Sequence, residues 1–129
     1  MSPRSAEFLE AAGRRLAAAR AALDQDPASA LSTAYYAMLY AARAALSERD
    51  TYAKTHAGTW HELRRMFVET GALDPELVSQ AQSAQRQRER ADYEAWLASE
   101  EQARRVIELA ERFLTEMRRL CGDELAPAE

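Results

Sequence analysis

A chain of 129 residues with 28 alanines, three valines and one isoleucine has the size of one domain and lacks the β-branched residues that fill pleated sheets. Four glycines and four prolines leave few tight turns, which excludes an all-β fold and weighs against an α/β one. A net charge of −4 and a pI near 5.3 exclude a general basic nucleic-acid binder, whose pI usually exceeds about 9, so any RNA contact must be local.

Start and stop signals divide the chain in order. Ser2-Pro3 places a capping hydroxyl before a proline at the first helical position. It predicts a helix with Phe8, Leu9, Ala12, Leu16, Ala19 and Leu23 on one apolar stripe. Asp26-Pro27 repeats the signal and opens a second helix, to about Ser47. Its segment AYYAMLYAARAAL is apolar nearly all round, the mark of a central helix covered on several sides. The hydroxyls of Tyr35, Tyr36 and Tyr40 need partners in that setting. A third helix is expected from His56 to Thr70, with Gly71 as its C′ residue. Asp74-Pro75 opens the fourth. Ser99 and Gln102 fit a capping box at the start of the fifth, which carries Ala103, Val106, Ala110, Phe113, Met117 and Leu120 on one face and stops at Gly122. Residues 122–129 lack periodicity and are expected to form a disordered tail. Short connections make neighbouring helices antiparallel. The expectation is an all-α, up-and-down bundle of four to five antiparallel helices, one domain over residues 1–121.

Several functions are disfavoured. Cys121 is the single cysteine, so no internal disulfide forms, and it reads as a buried structural thiol. The opening MSPRSAEFLEAAGRR lacks the apolar run of a signal peptide. The longest apolar stretch, Ala34 to Ala42, falls far short of the ~20 residues that span a bilayer. A cytoplasmic protein without membrane contact is expected. His61-Glu62-Leu63-Arg64-Arg65 begins like a zinc-protease helix, but Arg65 stands where the second histidine belongs. With no other ligand cluster or phosphate loop, neither a metal nor a cofactor is expected.

The polar signal lies in QAQSAQRQRERADY, residues 80–93. Arg86 and Arg90, four apart, share a helix face and are candidates to bind RNA or phosphate, while Arg88 points elsewhere. If the third and fourth helices are antiparallel, His56 and Arg88 both lie about 20 Å from the turn between them, at 1.5 Å per residue. His56, Arg88, Asp92 and Tyr93 then share one end of the bundle. That grouping suits either a proton-transfer site or a network setting helix register.

The stretches SALSTAYYAMLYAARAAL at 29–46, KTHAGTWHELRRMFVETGALDPEL at 54–77 and RERADYE at 88–94, with the last helix, resemble a HEPN domain of the small stand-alone bacterial and archaeal type. The resemblance spans about residues 5–120. It implies a homodimeric helical bundle, often paired with a minimal nucleotidyltransferase. Many such proteins are metal-independent ribonucleases that use an Arg and a His with four to six residues between them. Arg88 matches the arginine, but Tyr93, Glu94 and Ala95 occupy the histidine positions. The spacing recurs only at Arg49 and His56, ahead of the third helix.

The resemblance makes His56 and Arg88 candidate catalytic residues that partly replace the missing pair, with Asp92, Tyr93, Tyr35 and Tyr36 as orienting groups. The leading reading is a non-catalytic or weakly active module of a two-component, toxin–antitoxin-like system. It would bind RNA, a nucleotide or a nucleotidyltransferase partner. The alternatives are a metal-independent ribonuclease toxin cutting RNA at a dimer cleft, and a structural dimerisation bundle. If a nucleotidyltransferase modifies the chain, Tyr93 is the expected acceptor.

Overall fold

The structure, a computed structural model, describes residues 1–93 and 97–122. Glu94, Ala95 and the expected tail beyond Gly122 lie outside the described residues. The described residues form an all-α bundle of five helices: α1 (Pro3–Ala22), α2 (Pro27–Ser47), α3 (His56–Leu63), α4 (Pro75–Tyr93) and α5 (Glu100–Leu120).

The starts follow the local chemistry. Ser2, Asp26, Thr55 and Ser99 each accept a backbone N–H from the residue three positions on, and Pro3 and Pro27 stand at the first helical positions. Ser99 and Gln102 form the reciprocal capping box. Gly71 and Gly122 take φ values of +83° and +73°, the left-handed conformation that closes a helix with least strain in glycine.

One element departs from expectation. The third helix is α-helical only to Leu63 and continues as a π-helical turn over Arg64–Val68. There the Glu69 N–H donates to the Arg64 carbonyl at 2.9 Å. The widened turn buries Phe67, whose carbonyl accepts from both Ala72 and Leu73, at 2.8 and 2.9 Å. A π turn accommodates one extra residue, and here it brings the chain back towards α4.

α2 is the axis of the molecule and packs against each of the other four helices. Ala30, Ala34, Ala37, Ala41, Ala42, Ala44 and Ala45 are fully buried along it, so neighbouring backbones approach closely. Ser5 illustrates the distance: its buried hydroxyl donates to the Ala44 carbonyl at 2.8 Å. Trp60, Phe67, Phe113, Leu114 and Met117 fill the wider spaces. Leu9, Ala12, Leu16 and Ala19 of the α1 stripe are buried, with Phe8 and Leu23 at its half-buried margin. No helix among the described residues is long and apolar enough to cross a membrane.

Candidate functional site

Two consecutive tyrosines on α2 point their hydroxyls at different neighbours. The buried Tyr35 meets α3, where its hydroxyl lies 2.8 Å from His56 Nδ1. Tyr36 meets α4, accepting a hydrogen bond from Arg88 Nη1 at 3.0 Å. The same Arg88 nitrogen donates to Asp92 Oδ2 at 2.8 Å, one helical turn further along α4. Asp92 therefore fixes the guanidinium while remaining exposed to solvent.

The rings complete a compact wall. Tyr35 and Tyr36 stand edge-on, 5.4 Å between centroids, and His56 lies 5.6 and 5.8 Å from them. The Arg88 guanidinium carbon is 5.3 Å from the centre of Tyr36 and 5.8 Å from that of Tyr35, within reach of a cation–π attraction. Trp60, one turn beyond His56, backs Tyr35 at 6.2 Å and anchors its indole N–H on Gln85 at 2.9 Å.

Arg88 is 9% exposed and is the only buried charged residue among those described. Its Nε is buried without a hydrogen-bond partner among them. Charged side chains are almost never buried without compensation. Here compensation comes from Asp92, Tyr36 and the two ring faces.

The electrostatics fix protonation states. Burial pushes the Tyr35 hydroxyl well above the ordinary phenol range, so it stays an O–H. Burial, then the charges of Arg88 and Arg43, lower the His56 pKa from 6.5, so the ring is neutral at pH 7. Nδ1 of His56 is the partner of the Tyr35 hydroxyl. A neutral His56 that accepts the Tyr35 hydroxyl at Nδ1 carries its proton on Nε2. In that tautomer the polar groups of the cluster besides Asp92 are donors: His56 Nε2–H, the Tyr36 hydroxyl and the largely buried Arg88 guanidinium.

The candidates named from the sequence thus separate. His56, Arg88, Asp92, Tyr35 and Tyr36 meet at one wall, with His56 and Arg88 linked through the tyrosine pair. Tyr93 is 80% exposed and has no hydrogen bond or ring contact to this wall among the described residues. Arg86 and Arg90 are exposed on other faces of α4. Three participants were not foreseen. Arg43 donates to Thr59 Oγ1 and to the Lys54 carbonyl beside His56, and its place seven residues after Tyr36 was the available signal. Trp60 follows His56 by four, and Gln85 precedes Arg88 by three.

Among known proteins, the family model described as HEPN domain matches residues 5–120. A Methanocaldococcus jannaschii protein named "Putative toxin" is 30% identical over 91 residues, covering 70% of this chain and 62% of that protein. A UPF0332 protein of Gloeobacter violaceus is 33% identical over 94 residues, covering 72% of this chain and 75% of its own. The chain therefore spans less than two thirds of the archaeal relative.

Proposed function

Because the chain belongs to the HEPN family, we propose that it is a toxin-like module whose Arg88 wall binds RNA phosphate with little or no cleavage. The observation that carries this reading is the donor-rich character of the wall. A phosphate oxygen accepts hydrogen bonds, and Arg88, His56 Nε2–H and Tyr36 O–H supply them. Cleavage through a ribose 2′-OH needs a group that removes its proton. In the tautomer that accepts the Tyr35 hydroxyl at Nδ1 and carries its proton on Nε2, His56 lacks a free lone pair for that step. Asp92 is occupied by Arg88. The absence of a histidine at Tyr93 argues in the same direction.

Anisotropy titrations of labelled single-stranded RNA test the proposal. Arg88→Met and His56→Ala are expected to weaken binding about tenfold, or ~1.4 kcal/mol, each. Affinity unchanged in both variants would overturn it. The same proteins incubated with RNA in chelator distinguish the alternative: rapid cleavage lost in both variants would replace binding with a metal-independent ribonuclease.

The two-component reading draws support from the name of the archaeal relative. It carries with it a cytoplasmic homodimer and a minimal nucleotidyltransferase partner. Tyr93 is the most exposed of the five tyrosines and the accessible hydroxyl for modification by such an enzyme. Light scattering reads the dimer, and an adenylyl mass shift after incubation with a minimal nucleotidyltransferase and ATP reads the modification.

A further inference from the structure

His56 is half-buried, and charged or titratable groups reach it from both helices packed against α3. On the α2 side, the Tyr35 hydroxyl lies 2.8 Å from Nδ1. Arg43 holds the Lys54 carbonyl and the Thr59 hydroxyl, before and after the ring in the chain. Tyr36 stands edge-on to it. On the α4 side, Arg88 lies against both tyrosine rings, with Asp92 as its counterion. α4 also brings a carboxylate. Arg64 donates to Gln82 and Trp60 to Gln85, an antiparallel seam. It sets Glu89, one turn past Gln85, level with His56, one turn before Trp60. Gln85 donates to the Glu89 carboxylate at 3.3 Å, whose charge acts on the imidazole against those of Arg88 and Arg43. On the His56 segment itself, Lys54 and His61 are exposed, and His61 lies 3.8 Å from Glu62.

We propose that His56 is a proton switch on the Arg88 wall: one solvent proton, taken up at Nδ1, places a second cation beside Arg88 and tightens the hold on phosphate. This rests on the reading of the wall as a phosphate site and adds its regulation. In the neutral ring that accepts the Tyr35 O–H at Nδ1, Nε2–H is an uncharged donor. The incoming proton occupies Nδ1, so the bond reverses and the Tyr35 oxygen accepts. The imidazolium then offers Nε2–H as a charged donor, and charge-assisted bonds are about twice as strong as neutral ones. Resistance to the change is built into the packing. The Tyr35 hydroxyl hydrogen has to turn away inside a fully buried side chain, where an unpaired donor is costly. Burial of the ring, then Arg88 and Arg43, act in the same direction and hold it neutral at pH 7. Glu89 works the other way, and so does a bound phosphate. Proton and phosphate therefore bind cooperatively, each raising the affinity for the other by the same factor.

The chain has two histidines, the side chains whose ordinary pKa falls between about pH 5 and pH 8, so the origin of a pH effect in that range is separable. Binding of a labelled oligouridylate is followed by anisotropy across the range at constant salt, and the imidazole signals by NMR with and without RNA. Wild-type affinity is expected to rise about threefold or more from the neutral to the acidic end, with RNA raising the His56 pKa by the logarithm of the same factor. His56→Gln should flatten the profile, and His61→Asn should leave the rise intact. Two further variants should displace it in opposite directions. Tyr35→Phe removes the hydroxyl that holds Nδ1 and moves the rise to higher pH, whereas Glu89→Gln removes the carboxylate and moves it to lower pH. A purely structural His56 would give neither displacement, and these two variants decide the matter if His56→Gln fails to fold. A rise that persists in His56→Gln, or no displacement in the other two, overturns the switch. Affinity that depends on Arg88 but not on pH overturns it and spares the Arg88 reading. A rise that follows His56 yet ignores Arg88→Met does the reverse, and no binding at any pH sinks both.

Discussion

Arg88 sits where a buried cation is costly, and whether it serves the fold or a ligand is measurable. Its ion-pair partner Asp92 remains solvated when the pair is broken. Arg88→Met therefore leaves no stranded buried charge and fills similar space. Stability is expected to change by less than about 1 kcal/mol in urea denaturation while RNA binding falls. A loss of about 3 kcal/mol or more would instead identify Arg88 as a strut between α2 and α4. His56 provides an independent reading of the same charge. Its folded pKa lies below the unfolded 6.5, through burial first and Arg88 next. The folded state binds this proton less readily than the unfolded one, so the His56 contribution is complete above pH 6.5 and declines as pH falls from there through the folded pKa. Arg88→Met removes the second cause and should raise the His56 pKa, visible in an imidazole NMR titration. An unmoved pKa would contradict the electrostatic coupling described above.

The short helix α3 places His56, and its start depends on a glycine. The Thr55 hydroxyl accepts the Gly58 N–H at 2.9 Å, and a Cβ on Gly58 would lie 2.8 Å from that oxygen. Alanine in place of a helical glycine ordinarily gains up to ~1 kcal/mol. Here it displaces the cap, whose loss costs about 1 kcal/mol. The two effects are of similar size, so Gly58→Ala is expected to leave the urea midpoint nearly unchanged and to weaken RNA binding with Arg88 untouched. A raised midpoint would show that Thr55 rotates without penalty. The other end of this segment was not legible in the sequence. RRMFV has ordinary helical spacing, and nothing local in Arg64–Val68 asks for a π turn. The demand comes from burying Phe67 while its carbonyl receives Ala72 and Leu73. Caps, by contrast, are local chemistry, which is why Asp26-Pro27 and Ser99 with Gln102 announced α2 and α5 directly.

The whole molecule is organised by how closely four helices approach α2. Ala41 is fully buried in the second half of it, in a close-packed interior. Ala41→Leu is expected to destabilise the bundle by about 1–3 kcal/mol in urea denaturation, although leucine favours helices nearly as well as alanine. A neutral result would mean that the helices around α2 can separate, and that the alanines record composition rather than packing.

The sequence by itself determined the helical class, the helix starts and the central position of α2, because periodicity, caps and alanine content act within one helix turn. It also brought His56 and Arg88 to one end of the bundle, since helical rise converts residue counts into distance. Only the tertiary structure decided their chemistry. Which tyrosine takes which partner and the burial of Arg88 depend on three helices meeting. The exclusion of Tyr93 has the same origin, since helix faces acquire meaning only when another helix stands opposite.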